Sequence, residues 1–249
     1  MNHQTSIEKM KQMRLTAMAE TYYNSLQTGM YKDYTIDQFI ALLVDQEWEH
    51  RHNKKIANLI ASAKFRDQTT VEDIDYTASR SLDRNVLERL TSLDFLKRKE
   101  NLIITGLTGT GKSYIAQALG HRACLMQHKT LYYNTTRLMD DVRLARTEGT
   151  YIKLLVRIEK ADLLILDDFG LNSFDPTVRT TLMDIVESKY DKTSIIIATQ
   201  IPVKCWHELI GEGTIADAIL DRLVHSSHRI ELSGESMRKN KLKTVQNNL

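Results

Sequence analysis

Proline is almost missing from this chain, with two in 249 residues, and glycine occurs only ten times, so long stretches of coil are excluded. Two cysteines, Cys124 and Cys205, are too few and too far apart for a disulfide framework or a metal-ligand spacing, and both are expected to be reduced structural thiols. No window approaches the ~18 consecutive apolar residues of a membrane span, and the opening "MNHQTSIEKMKQMRLTAMAE" carries no apolar signal core. A cytoplasmic protein with no membrane partner is expected. Charge of one sign is also lacking: the formal net charge of +2 is too small to identify a polyanionic partner by bulk field alone, and local clustering has to decide.

What is present is an ordinary globular composition, 42% hydrophobic and 27% charged, with neither internal repeats nor low-complexity tracts. From about residue 6 to 66 the chain is rich in Met, Leu, Lys, Glu and Gln, with a single glycine and no proline, which favours helix. Met10, Met13, Leu15, Met18 and Tyr22 predict one amphipathic helix. Phe39, Ile40, Leu43, Val44 and Trp48 predict a second, starting at "TIDQ" with Thr35 or Asp37 as cap. The polar, acidic stretch "DQTTVEDIDYTASRSL" breaks this pattern and is expected to connect two domains. These boundaries give a helical N-terminal domain over 1–68, a linker over 69–82 and a larger domain over 83–249. In the last, apolar strands "NLIIT", "TLYYNT", "ADLLILDD" and "TSIIIATQ" alternate with helices, including 112–127 and one near 177–189. That rhythm predicts an α/β fold with a parallel sheet covered on both faces.

The stretch "GLTGTGKS" follows the first of these strands and opens a helix, the context that a G-x-x-x-x-G-K-S phosphate loop requires. Glycines 106, 109 and 111 allow the backbone N–H groups to turn inward around phosphate, and the helix N-terminus adds its positive dipole end. Gly106, Thr108, Gly109, Thr110, Gly111, Lys112, Ser113 and Tyr114 are therefore assigned to ATP, Lys112 reaching the β- and γ-phosphates and Ser113 ligating Mg2+. "LLILDDFG" supplies the acids: Asp167 on the Mg2+ side, and Asp168 to orient or deprotonate the attacking water, where many ATPases carry the longer Glu. The strand "SIIIATQ" ends in Thr199 and Gln200, and Gln200 is the candidate γ-phosphate sensor. Arg222, late in an amphipathic helix within "TIADAILDRLVHSSHRIEL", is a candidate arginine finger acting on a neighbouring subunit's nucleotide.

Together these blocks resemble the IstB-type AAA+ ATPases, the transposition helpers of insertion sequences, which are similar to DnaC helicase loaders and more distantly to DnaA. The resemblance runs from "MRLTAMAETYYNSL" and "FIALLVDQEWEHRHNKKIANLIASAKF" through "LLILDDFG", "IIIATQIPVKCW" and "DAILDRLVH" to "LSGESMRK". It implies an AAA+ P-loop NTPase fold, Mg2+-dependent ATP hydrolysis, ATP-driven homo-oligomers on duplex DNA, and recruitment and stimulation of a cognate transposase. It places Arg222 in the arginine-finger block and Arg238 as a second nucleotide sensor. Two basic stretches are candidates for sequence-independent contact with DNA phosphates: Arg51, Lys54, Lys55 and Lys64 in the N-terminal region, and Lys239 and Lys241 in the tail. A helicase loader is the alternative within the same mechanism, and a small-molecule kinase the alternative outside it.

Overall fold

The computed structural model describes residues 3–77 and 80–237, and the chain divides into two compact units, one up to Asn58 and one from Leu59 onward. The first unit opens with α1 (His3–Gln12) and α2 (Thr16–Thr28), two helices where a single one was expected. The break lies at Arg14, which takes a left-handed φ of 61° while the Leu15 N–H reaches back to the Met10 carbonyl at 2.8 Å, closing α1. A 3-10 turn at Met30–Asp33 leads to α3 (Ile36–Ala63), whose last turn belongs to the second unit. "TIDQ" starts it as a reciprocal capping box: Gln38 N–H donates to Thr35 Oγ1 at 3.3 Å, and Thr35 N–H to Gln38 Oε1 at 2.9 Å. The expected apolar face of α3 is split, because Leu43 is buried and Phe39 half-buried while Ile40, Val44 and Trp48 are exposed.

In the second unit, α4 (Arg84–Thr91) and α5 (Asp94–Lys97) precede β1 (Asn101–Gly106), α6 (Lys112–Leu125), β2 (Thr130–Asn134), α7 (Thr135–Thr147) and α8 (Tyr151–Glu159). Then come β3 (Leu163–Phe169), α9 (Pro176–Lys189), β4 (Ser194–Thr199), α10 (Trp206–Ile210), α11 (Gly213–Val224) and β5 (Ser227–Leu232). The strands form one parallel sheet in the order β2-β3-β4-β1-β5. Alternate strand residues enter different cores. Ile103, Leu164, Leu166 and Ile197 pack beneath α7, α9 and α11, whereas Leu102, Ile104, Ile165 and Ile196 pack beneath α4, α5 and α6. Burial of both faces is why these strands are continuous apolar runs.

The polar stretch expected to be a linker is part of this unit. Ile74 is buried, Val71, Tyr76 and Leu82 pack on the α6-side core, and Arg80 is only 3% exposed. β5 had no apolar run to announce it: "SHRIEL" sits at the sheet edge, where only Ile230 and Leu232 are buried. At the opposite end of β1 from the phosphate loop, Asn101 knits three elements. Its Nδ2 donates to the carbonyls of Arg222 and Leu223 at 3.1 and 3.3 Å, and its Oδ1 accepts the Ile195 N–H at 2.9 Å. Asn101→Ala leaves these buried groups unpaired, so urea unfolding should show a loss of about 1–3 kcal/mol at unchanged m-value.

Candidate functional site

The site is built where β1 ends and α6 begins. Gly106, Gly109 and Gly111 have φ of 151°, 83° and 97°, values that side-chain-bearing residues rarely adopt. Space matters as much as torsion: a Cβ on Gly106 would overlap the Leu232 carbonyl of β5, one on Gly109 would overlap Ser236, and one on Gly111 would overlap the Arg80 guanidinium. The loop is thus pressed between β1, the segment after β5 and the segment before α4. Lys112, largely buried, donates from Nζ to the Leu107 carbonyl at 2.8 Å, a bond within the loop. Tyr114, half-buried, packs on the α6-side core, and its hydroxyl bonds to the Thr70 backbone.

The acids lie across the sheet at the end of β3. Asp167 is 1% exposed, and its carboxylate is fully engaged. Oδ1 accepts from Ser113 Oγ at 2.8 Å and from the Asp168 N–H at 2.9 Å, while Oδ2 accepts from Tyr132 Oη at 2.7 Å. The Ser113–Asp167 contact places the two predicted Mg2+-side oxygens together, so the donor set fits a hard cation that takes oxygen ligands alongside phosphate. Burial, and then the Asp167 charge beside it, pushes the Tyr132 hydroxyl pKa upward, which keeps that proton on the tyrosine as a donor.

Asp168 follows with a left-handed φ of 55°, beside a register irregularity between Leu166 and Phe169. This turn directs it to Asn134, whose Nδ2 donates to Asp168 Oδ2 at 2.8 Å while its Oδ1 caps α7 through the Arg137 N–H at 3.3 Å. Desolvation, then the neighbouring Asp167 charge, raises the Asp168 pKa; Arg66 and Lys112 pull against that shift. Gln200 is brought in from β4, its Oε1 accepting from Thr108 Oγ1 at 2.7 Å. Thr199 is not available, since its hydroxyl is buried and bonded to the Phe169 carbonyl at 2.6 Å.

The other candidates do not join this cluster. Arg222 lies at the far end of the sheet, where its main-chain carbonyl meets Asn101, and its guanidinium pairs with Glu187 at 2.7 Å beside the Tyr190 ring. Lys54, Lys55 and Lys64 are exposed. Arg51, assigned to DNA from its charge, is exposed and is also engaged inside the first unit. It bonds to Glu47 at 2.7 Å and to the Arg14 carbonyl at 2.9 Å, because the buried Glu47 carboxylate needs a partner. Arg238, Lys239 and Lys241 lie outside the described residues. Tyr132, Asn134 and Arg80 have no motif of their own; the one signal was the polar ending of the apolar strand "TLYYN", beside the strand that carries the acids.

A model of the family described as IstB-like ATP binding protein matches residues 8–244. The insertion-sequence ATP-binding protein y4pL of Sinorhizobium fredii is 42% identical over 94% of this chain and 96% of its own length. Among solved structures, AMPPCP-bound DnaA from Aquifex aeolicus superposes with a TM-score of 0.56 at 19% identity, covering 74% of this chain and 57% of that one. The DnaC helicase loader gives a TM-score of 0.50 at 17% identity over 59% of this chain and 86% of that one. With a phosphate loop and paired acids on a parallel sheet, and a family match spanning both compact units, the chain belongs to the IstB-like ATP-binding family, built on the AAA+ P-loop ATPase fold.

Proposed function

We propose that the protein is an ATP-driven transposition helper that assembles on duplex DNA without strong sequence preference and recruits a cognate transposase. The observation that carries the nucleotide part is the Ser113–Asp167–Asp168–Asn134 chain of contacts beside the phosphate loop. Support for transposition rather than helicase loading comes from coverage: insertion-sequence relatives match nearly the full chain, including the first helical unit, whereas the helicase-loader likeness covers 59% of it. In this reading Lys112 leaves its loop carbonyl for the phosphates, Ser113 and Asp167 hold Mg2+, and Gln200, already on Thr108, senses the terminal phosphate. Mg2+ supplies charge neutralisation on the transferred group. Asp168 orients the attacking water, and the Asn134 amide fixes where its carboxylate stands.

Arg222 acts in trans. What supports this is its place on α11, at the end of the sheet opposite the phosphate loop, where its guanidinium is paired with Glu187. Lys54, Lys55 and Lys64 supply phosphate contacts from exposed positions, and Arg238, Lys239 and Lys241 add to nucleotide and DNA contact from the tail.

Lys112→Ala should abolish ATP binding in a fluorescent-nucleotide titration, while Asp168→Asn should bind ATP normally and hydrolyse it about a hundred- to ten-thousandfold more slowly. Normal turnover by Asp168→Asn would exclude it as the water-orienting acid. For the finger, Arg222→Ala should lose ATP-dependent assembly and hydrolysis, whereas Glu187→Gln, which releases Arg222, should retain both. Equal loss in the two variants would mean that the ion pair is only structural. Sedimentation with duplex DNA under ATP, ADP and no nucleotide should give large complexes only with ATP, and Lys54→Ala combined with Lys64→Ala should reduce the log–log salt slope of DNA binding by about two. A monomer under every condition would overturn the assembly reading.

A further inference from the structure

Arg80 lies in the segment that composition marked as a connection, yet it is a buried cation against the phosphate loop. Its Nη1 donates to the Thr110 carbonyl at 3.2 Å and its Nη2 to the Asp75 carbonyl at 2.6 Å. Nε is buried without a partner. Both bonded acceptors are neutral main-chain oxygens; the Asp75 carboxylate acts on Arg80 electrostatically, but its Oδ1 is bonded to the Thr77 N–H and hydroxyl. A guanidinium so placed is desolvated with little compensation, an unfavourable arrangement unless an anion comes close.

Peptide geometry then gives the contact a direction. The described peptides are all trans, so the Thr110 carbonyl and the Gly111 N–H lie in one plane and point in opposite directions. Fixing that carbonyl on Arg80 turns the Gly111 N–H away from the guanidinium. The preceding plane is held similarly from outside, because the Met237 N–H donates to the Gly109 carbonyl at 2.9 Å. The two outer segments are themselves joined: the Ser233 N–H donates to the Arg80 carbonyl at 3.1 Å, and the Ser81 and Ser233 hydroxyls share a hydrogen bond. Gly111 has the φ of 97° that favours glycine, and the Arg80 guanidinium occupies the space a Cβ would take.

We propose that Arg80 is a positioning residue for polyphosphate: by holding the Thr110 carbonyl outward it presents the Gly111 N–H to the bound phosphates, and its buried charge makes the loop more attractive to an anion. This rests on the nucleotide reading of the loop. Such a role belongs to the phosphates and not to the base, so it predicts equal effects on ATP, ADP and inorganic pyrophosphate.

The test measures dissociation constants of fluorescent ADP, with ATP and pyrophosphate as competitors, for the full chain and for Arg80→Gln and Arg80→Lys. Melting temperatures without nucleotide and the amide proton shift of Gly111 are recorded alongside. Arg80→Gln should weaken all three ligands about ten- to a hundredfold, the span of a charged hydrogen bond. Arg80→Lys, which keeps the charge and one donor, should recover part of the loss, and in both variants the Gly111 amide resonance should move. Unchanged affinities in folded variants would overturn the proposal, as would a loss of affinity with the Gly111 resonance unmoved. Failure of the parent chain to bind either ADP or pyrophosphate would overturn the nucleotide reading itself.

Discussion

The buried carboxylate of Asp167 is the point on which the site depends. A charge that is 1% exposed is tolerated only when its oxygens are hydrogen-bonded, and here three donors from three parts of the fold converge on it: Ser113 from α6, Tyr132 from β2 and the N–H of Asp168. Satisfying that one group fixes the start of α6 relative to β3, and therefore fixes the phosphate loop relative to the acids. The Thr135 hydroxyl completes the join by donating to the Asp167 carbonyl at 2.8 Å, which ties the first turn of α7 to the same point.

A second constraint acts through α6. Gly120, in mid-helix, is unfavourable for helix formation by about 0.5–1 kcal/mol relative to alanine, but a Cβ there would crowd Ile165 of β3 and Phe65. Close approach of α6 to the sheet is what the glycine permits. Three residues earlier Gln117, fully buried, accepts the N–H groups of Arg66 and Asp67 at 2.7 and 3.0 Å and donates to the Ser113 carbonyl at 3.2 Å. The chain leaving α3 is therefore secured to the helix that carries Lys112 and Ser113.

How much of this was legible in the residues follows from what each element had to do. The phosphate loop, the acids and four of the five strands were legible because their chemistry is local: a glycine spacing, two carboxylates after an apolar run, or burial on both faces. β5 was not: the other edge strand, β2, buries Leu131 and Tyr132 on its two faces, whereas β5 buries only Ile230 and Leu232, both on the α6 side. Tyr132 and Asn134 became site residues only through the parallel register of β2 with β3, Asn134 lying opposite Asp167. The segment around Arg80 looked like a connection because its inward residues, Ile74 and Leu82 among them, follow no helical or strand period. Its burial is dictated by the outer wall of the phosphate loop, a long-range demand that composition does not carry.

Asp168 shows how the two scales meet. A left-handed backbone at a non-glycine residue costs on the order of 1–3 kcal/mol and persists only where the surroundings over-determine it. The surroundings here are the next residue: Phe169 is fully buried, its ring edge-on to Phe174 at 5.3 Å and tilted against Trp206 at 4.8 Å. Trp206 is itself fixed by its indole N–H on the Ile201 carbonyl at 3.0 Å. Burying one such aromatic side chain stabilises by about 1.5–3 kcal/mol, comparable to the strain. The hydrophobic core on the far face of the sheet thus holds the peptide of Asp168 in a conformation that its own preferences oppose, and the carboxylate is presented to Asn134 as a consequence.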